Sequence, residues 1–115
     1  MGATVLIVDD HATFRRLSRR LLERCGFSVV GEAADGASAL AAVAELHPDI
    51  VLLDVLLPDT SGFAIADAID AAAEHPLVVL TSTRRAVDYG VAATGRRFID
   101  KSDLTVARIR AAFAR

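Results

Sequence analysis

Short apolar runs alternate with segments of helical periodicity, and this alternation constrains the fold more than any other feature of the chain. The runs are too short for helices, so each of them predicts a buried strand. They are Val5–Val8, Phe27–Val30, Ile50–Leu53, Leu77–Leu80 and Phe98–Ile99. Strand and helix alternating five times predict an α/β domain with a doubly wound, five-stranded parallel sheet, arranged as a flavodoxin-like (βα)5 fold.

Apolar spacing between the runs predicts the helices and their inward faces. In the first helix, which should stop at Gly26, the expected inward residues are Phe14, Leu17 and Leu21; in the second, capped by Asp35, they are Leu40, Val43 and Ala44. The third helix is expected over Phe63–Glu74 with Ile65 and Ile69 inward. The last is expected to begin near Ser102-Asp103 with Val106, Ile109 and Phe113 inward. The segment Arg84–Gly95 is the least convincing helix, because Gly90 in its middle costs about 1 kcal/mol relative to alanine. We therefore expect this segment to be the most mobile part of the domain.

Composition narrows the class of protein. With 115 residues and 53% hydrophobic content, the sequence predicts one packed domain spanning 1–115, with no effector domain. Its apolar runs are too short to cross a membrane, its start lacks a basic signal region, and its net charge of −2 argues against direct nucleic-acid binding, so we expect a cytoplasmic protein. The single cysteine, Cys25, excludes an internal disulfide and is expected to be a buried structural thiol.

Polar residues stand where the predicted strands end. Asp9 and Asp10 follow the first strand, Asp54 ends the third, Thr81 follows the fourth and Lys101 follows the fifth. Because the carboxyl ends of parallel strands meet at one edge of the sheet, these side chains should converge. Clustered carboxylates repel one another unless a cation lies among them, and hard oxygen ligands suit Mg²⁺. Mg²⁺, an ammonium and a hydroxyl around one carboxylate predict a site for phosphoryl transfer, with the carboxylate as nucleophile.

Four stretches carry a resemblance to a known family. VLIVDDH (Val5–His11), VLLDVLLPDTSG (Val51–Gly62), VVLTS (Val78–Ser82) and FIDK (Phe98–Lys101) resemble, in order and spacing, the receiver domain of two-component response regulators. The interval between the third and fourth stretches is short for the family, and Ser102 stands where many receivers have proline. The resemblance covers essentially the whole chain.

The resemblance implies a role for each matching residue. Asp54 would accept a phosphoryl group from a histidine kinase, and Mg²⁺ would be held by Asp9, Asp10, Asp54 and the backbone carbonyl of Leu56. Thr81 and Lys101 would bind the phosphoryl oxygens. Thr81 and Phe98 would act as the switch, changing the face around the fourth helix, fifth strand and fifth helix.

The resemblance also implies partners. They are a sensor histidine kinase or phosphotransfer protein and a downstream protein or output domain, with a phosphorylation-dependent homodimer as one form of output. The domain would be no enzyme, and would assist only its own phosphorylation and dephosphorylation.

Other interpretations of the same residues stay open. A receiver-like module that signals without phosphorylation is one alternative. A haloacid-dehalogenase-like phosphatase is another: Asp9 and Thr13 fit its Asp-x-Asp-x-Thr motif, but His11 replaces the second aspartate. Asp10 alone could cap the first helix. For His11 an exposed loop position is favoured over a metal ligand. A further set forms either a solvated face or a partner surface on the first helix: Arg15, Arg16, Arg19, Arg20 and Arg24.

Overall fold

Five parallel strands form one sheet in the computed structural model, which describes residues 2–114. The strands are β1 (Thr4–Val8), β2 (Ser28–Ala33), β3 (Ile50–Asp54), β4 (Leu77–Ser82) and β5 (Arg97–Asp100), and the helices are α1 (Ala12–Arg24), α2 (Gly36–Leu46), α3 (Gly62–Asp70) and α4 (Val106–Phe113). The strand order is β2-β1-β3-β4-β5, with every neighbouring pair parallel. The predicted doubly wound, flavodoxin-like fold is therefore confirmed.

Successive residues of a strand face opposite sides of the sheet, and the two sides carry separate cores. In β1, Val5 and Ile7 pack on the side of α1 and α4 together with Leu22 and Ile109. Leu6 and Val8 face the side of α2 and α3. All five residues of β3 are buried, which explains why the central strands appear in the sequence as continuous apolar runs.

The inward face of α1 differs from the predicted one by part of a turn. Leu17, expected inside, is 50% exposed, whereas Ser18 and Leu22 are fully buried. The Ser18 hydroxyl donates to the carbonyl oxygen of Phe14 at 2.8 Å, so this small polar residue is satisfied within the helix and leaves room against the sheet. Leu21 is half-buried against the core as predicted, and Cys25 is half-buried where a buried thiol was predicted.

Two of the α1 arginines, for which a solvated face and a partner surface were both open, contact an acidic residue of this chain instead. Arg15 and Arg19 each bond Glu32 on β2 at 2.8 Å and tie the helix to the edge strand. These contacts, with the side-chain hydrogen bond from Arg19 first, hold the pKa of Glu32 below its usual range. Strand β2 is itself longer than predicted and, as an edge strand, is only partly buried.

Small residues set the position of α2. Ala39 is fully buried, and Ala42 and Val43 pack against the same core. Leu40, expected inside, is 38% exposed, and Ala44 is exposed as well, so both of these predictions are wrong. Alanines on the inner face allow the helix to lie close to the sheet, which a leucine there would prevent. The predicted cap is confirmed, since Asp35 Oδ1 accepts the Ser38 N–H at 2.8 Å.

Two predicted helix boundaries are wrong. Helix α3 ends at Asp70 and not at Glu74, because the alanines that follow are exposed and would add no buried area to a longer helix. Helix α4 begins at Val106, where the Thr105 hydroxyl accepts the Arg108 N–H at 3.2 Å, and not near Ser102. The preceding Lys101–Asp103 forms a short 3-10 turn instead.

The connection from β4 to β5 contains no α-helix. Ala86–Ala93 forms 3-10 turns interrupted at Gly90, whose φ of 59° and ψ of −128° lie outside the helical region. None of these eight residues is fully buried. The interruption at Gly90 explains why the sequence predicted a helix here only weakly. We call residues 84–95 the β4–β5 segment. Within residues 2–114, no helix has both the length and the apolar character needed to span a membrane.

The observed inward face of α1 predicts unequal costs for two identical substitutions. Leu22→Ala should lower the free energy of unfolding by about 3 kcal/mol, because it removes a fully buried side chain and leaves a cavity. Leu17→Ala in the same helix should cost less than about 1 kcal/mol, because half of its side chain already contacts solvent. Urea unfolding of both variants measures the difference, and equal costs would contradict the described helix orientation.

Candidate functional site

The carboxyl ends of four strands bring the predicted polar residues together. Asp9 follows β1, which pairs with β3 through Val8 and Leu53, and Asp54 pairs directly with Thr81 across β3 and β4. Asp9 and Thr81 are fully buried, and Asp54 is 3% exposed. The strand ends therefore hold two carboxylates and a hydroxyl in a small volume with little access to water.

Lys101 supplies the positive charge of this cluster. Its Nζ lies 2.6 Å from Asp9 Oδ2 and 3.1 Å from Asp54 Oδ2, and it sits 4.4 Å from the ring centroid of Phe14. Burial works against the charged form, but the contacts with Asp9 and Asp54 outweigh it and raise the pKa of Lys101. The ammonium is therefore charged and shared between the two carboxylates.

The ionised form of Asp54 is disfavoured by its surroundings. Its Oδ1 accepts the backbone N–H of Leu56 at 3.2 Å, and its Oδ2 faces Lys101. Burial first and the charge of Asp9 second raise the pKa of Asp54, while Lys101 and the Leu56 N–H oppose the shift. One ammonium for two buried carboxylates leaves excess negative charge at this edge of the sheet, which favours a further cation.

Asp10 and His11 form the exposed rim of the cluster. Asp10 keeps 36% of its side chain exposed, and His11 keeps 67%. His11 Nδ1 lies 3.0 Å from oxygens of both Asp9 and Asp10. His11 itself occupies the N-cap of α1 without a side-chain cap bond, so capping by Asp10 is wrong and the predicted exposed histidine is confirmed.

The donor set suits a hard cation. One ligand atom each from Asp9, Asp10, His11 and Asp54 lies within 4.8 Å of the others. Three of the four donors are carboxylates, which is the chemistry that Mg²⁺ prefers and that leaves positions for water. Asp9, Asp10 and Asp54 therefore fit the predicted magnesium site, and the exposed imidazole of His11 lies at its solvent side.

Thr81 and Phe98 occupy different places relative to the cluster. The buried Thr81 Oγ1 has no hydrogen-bond partner within residues 2–114, which is costly unless a ligand supplies an acceptor. Phe98 lies outside the cluster, half-buried in β5, and its ring centroid is 5.9 Å from that of Tyr89. The structure thus gathers the acidic residues, Lys101 and Thr81, and places Phe98 beside the β4–β5 segment.

Tyr89 is a contact residue that the sequence did not reveal. Its hydroxyl forms a hydrogen bond with Ser82 Oγ at the end of β4. Its ring packs between Phe63 and Phe98, with centroid distances of 5.3 and 5.9 Å. The one signal in the sequence was that Tyr89 is the only tyrosine of the chain and lies in the least helical segment. No rule of sequence spacing predicts its contact with Ser82.

Apart from the Leu56 carbonyl, the loop between β3 and α3, residues 55–61, was not predicted as a structured part of the site. Val55 N–H donates to the Thr81 carbonyl at 2.9 Å, and Gly62 N–H donates to the Val55 carbonyl at 2.6 Å. A Cβ at Gly62 would collide with the carbonyl oxygen of Asp54, so glycine is required there. The backbone that follows Asp54 is therefore held closely against the strand ends.

Comparisons with known proteins agree with this geometry. The response regulator receiver domain family matches residues 5–110. The DNA-binding response regulator MtrA of Mycolicibacterium paratuberculosis is 39% identical over 90 residues, covering 76% of this chain and 39% of that protein. Protein-glutamate methylesterase/protein-glutamine glutaminase 3 of Hahella chejuensis is 33% identical over 102 residues, covering 89% of this chain and 28% of that protein.

Solved structures give the same result. The signal receiver domain of the response regulator NarL from Mycobacterium tuberculosis is 30% identical and superposes with a TM-score of 0.83, covering 99% of this chain and 98% of that one. The chain thus matches a solved receiver domain over nearly its full length, and spans between 28% and 39% of the two curated relatives.

The charge imbalance predicts that Asp54→Asn stabilises the metal-free protein. Asparagine keeps an acceptor oxygen but carries no charge to bury, so the thermal midpoint at neutral pH should rise, by about 4 °C for each kcal/mol gained. Because folding raises the pKa of Asp54, the penalty in the unchanged chain grows as pH rises through that pKa. The advantage of the variant should therefore vanish below about pH 4, where the carboxyl is protonated in both states.

Calorimetry in the presence of a chelator measures this effect. Asp103→Asn is the matched control, because its carboxylate is 51% exposed, lies outside the cluster and pairs with Arg108 at the surface. That control should shift the midpoint little. A lower midpoint for Asp54→Asn at neutral pH would contradict the described electrostatics.

Proposed function

The chain belongs to the response regulator receiver domain family, and we propose that Asp54 accepts a phosphoryl group from the phosphohistidine of a histidine kinase. One observation carries the proposal: a single ammonium, Lys101 Nζ, is shared at 2.6 and 3.1 Å by Asp9 and Asp54 at the strand ends. A buried carboxylate with incomplete compensation is a nucleophile placed where added cationic and donor groups can stabilise a phosphoryl group.

The proposed transfer uses Asp54 as the attacking group. A carboxylate oxygen of Asp54 forms the new O–P bond as the N–P bond of the phosphohistidine breaks, and the electron pair of that bond stays on the imidazole nitrogen, which solvent protonates. Lys101 is close enough to turn from the carboxylate to a phosphoryl oxygen while keeping Asp9. The unpartnered Thr81 hydroxyl would gain an acceptor in the same product.

Mg²⁺ belongs to the proposal as the cofactor. Asp9, Asp10 and Asp54 would hold it, together with the backbone carbonyl of Leu56 that the family resemblance implies. Bound there, it would neutralise charge on the phosphoryl oxygens as they approach the carboxylates. Asp9 is fixed for this role by its neighbours: its Oδ1 accepts the His11 N–H at 2.8 Å, and its carbonyl accepts Arg15 Nη1 at 2.7 Å.

The proposed output is a change in the β4–β5 segment. Thr81 lies at the end of β4, and the next residue, Ser82, bonds Tyr89 within that segment. Movement of Thr81 toward a phosphoryl group would therefore shift the adjacent Ser82 and, through the bond to Tyr89, the β4–β5 segment. Phe98 contacts the ring of Tyr89 and would repack with it, so the affected face comprises the β4–β5 segment, β5 and α4.

Partners of the chain follow from its family. We propose a sensor histidine kinase or phosphotransfer protein as phosphoryl donor, and an output domain, another protein or a second copy of the chain as receiver of the signal, in the cytoplasm. The domain would catalyse only its own phosphorylation and dephosphorylation. Family membership removes the haloacid-dehalogenase-like alternative, whereas a receiver that signals without phosphorylation is distinguished by experiment.

Labelling with a small phosphodonor such as acetyl phosphate tests the acceptor directly. We expect one phosphoryl group per chain, mapped to Asp54, and no labelling when Mg²⁺ is chelated. Asp54→Asn should abolish the label, while Asp103→Asn, an exposed aspartate outside the cluster, should leave it unchanged. Undiminished labelling of Asp54→Asn would refute the assignment, and an unlabelled native chain would favour the module that acts without phosphorylation.

Hydrogen exchange tests the proposed output. In the unmodified protein, amides of residues 86–93 should exchange faster than those of β1 and β3, because no residue of this stretch is fully buried. A beryllofluoride mimic of the phosphoryl group should slow exchange there and leave β1 and β3 nearly unchanged. Tyr89→Phe keeps the ring but loses the bond to Ser82, so it should speed exchange in the unmodified stretch about fivefold.

Two variants serve as controls for the exchange experiment. Ser82→Ala removes the same hydrogen bond and also the one that Ser82 Oγ accepts from the Arg84 N–H at 3.0 Å, so its effect should be at least as large as that of Tyr89→Phe, and adding Tyr89→Phe should increase it no further. Phe98→Ala should still accept the mimic but transmit less of the change to residues 86–93. Strong, uniform protection of the β4–β5 segment in the unmodified protein would rule out this output.

A further inference from the structure

Asp59 joins the loop after the proposed phosphoryl acceptor to the start of α2. Its Oδ1 accepts the Gly36 N–H at 2.8 Å, and its Oδ2 accepts the Ala37 N–H at 3.0 Å. Gly36 and Ala37 are the first two residues of α2 and lie more than twenty positions earlier in the chain. The two oxygens of one carboxylate thus bridge α2 and the loop that follows Asp54.

The N-terminus of α2 is well suited to hold this carboxylate. The first turn of α2 contains no acidic residue, so its free N–H groups and the positive end of the helix dipole are available to Asp35 and Asp59. The Gly36 N–H, followed by that of Ala37, holds the pKa of Asp59 below its usual range. Asp59 is therefore ionised at neutral pH and bound by both donors.

Close packing beside these bonds shows that the loop fits this position. Thr60, the next residue of the loop, lies against Gly36, and a Cβ at Gly36 would collide with the methyl group of Thr60 and with Ile65. The glycine thus allows the tip of the loop to approach the helix. The hydrogen bonds that Asp59 accepts and the packing of Thr60 against Gly36 both hold the tip of the loop at the start of α2.

The other end of the loop reaches the cluster. Leu56 donates its N–H to Asp54 Oδ1, and its carbonyl is the proposed backbone ligand of Mg²⁺. The base of the loop is bonded to β4 and to Gly62, and the Leu57 N–H donates to the Thr60 carbonyl at 3.2 Å. Because the loop is short and internally hydrogen-bonded, a displacement of its tip would also displace the backbone of Leu56.

We propose that Asp59 is a positioning residue for the metal site: by binding the N-terminus of α2, it holds the β3–α3 loop so that the Leu56 backbone stays aligned with Asp54. The inference rests on the proposed function, because it concerns Mg²⁺ at that site. Mg²⁺ tolerates little departure from octahedral geometry, so a loop that drifts loses affinity for the ion before it loses its fold.

Asp59→Ala and Asp35→Ala form a matched pair for the test. Each variant removes one carboxylate from the N-terminus of α2 and one negative charge, but Asp35 belongs to the helix itself and bonds Ser38, not the loop. Urea unfolding should show losses of similar size. Mg²⁺ affinity, measured by titration calorimetry on the whole chain, should fall about fivefold for Asp59→Ala and stay within error for Asp35→Ala. The fivefold loss is smaller than is typical for groups that hydrogen-bond a metal-binding residue directly, because Asp59 acts through the loop.

Two further measurements separate positioning from general charge or stability effects. At about 0.5 M salt, where long-range attraction between Asp59 and the ion is screened, the fivefold difference should persist. Labelling by acetyl phosphate should be slower for Asp59→Ala at low Mg²⁺ and should recover when Mg²⁺ is saturating, because the reacting groups are unchanged.

The outcomes distinguish this inference from the proposed function. Equal Mg²⁺ affinity for Asp59→Ala and the unchanged chain would overturn the positioning role while leaving Asp54 as acceptor. Equal losses of affinity in both variants would also overturn it, since the effect would then come from the charge or stability of α2. If the unchanged chain bound no Mg²⁺ and accepted no label, the proposed function would fail, and the inference with it.

Discussion

One ammonium shared by two buried carboxylates is the interaction on which the rest of the structure depends. Lys101 at the end of β5 reaches across β4 to Asp54 and Asp9, so the sheet order β2-β1-β3-β4-β5 is required to bring the three together. Burying either carboxylate without this partner would be strongly unfavourable. The compensation is nevertheless incomplete, and the remaining negative charge favours a further cation at this edge of the sheet.

The sequence predicted this cluster because the chemistry lies at the ends of strands. The apolar runs of β1 and β3, Val5–Val8 and Ile50–Leu53, are buried on both faces of the sheet, so Asp9 and Asp54 stand out at the positions where these runs stop. Strand order follows from short, right-handed crossovers, which leave few topologies for five alternating units. The fold and the acidic cluster were therefore predictable from local patterns alone.

Helix orientation and long-range side-chain contacts were not predictable in the same way. In α1 the choice between Leu17 and Ser18 as the inward residue turns on packing against the sheet, where a small satisfied serine fits and a leucine does not. Tyr89 forms a hydrogen bond with Ser82, and Asp59 accepts one from Gly36. Neither the spacing nor the composition of the sequence predicts that these residues meet. Such contacts depend on the assembled fold.

These contacts divide the surroundings of the site into a firm side and a loose side. On the firm side, the β3–α3 loop is bonded to β4, to Gly62 and, through Asp59, to α2. On the loose side, the β4–β5 segment has no fully buried residue in its 3-10 turns, and Tyr89 joins it to Ser82, Phe63 and Phe98. A perturbation at Thr81 lies between the two, and the side with the weaker attachment moves at the lower free energy. Weak packing in the β4–β5 segment is therefore the physical reason for proposing that the output lies on that side of the site.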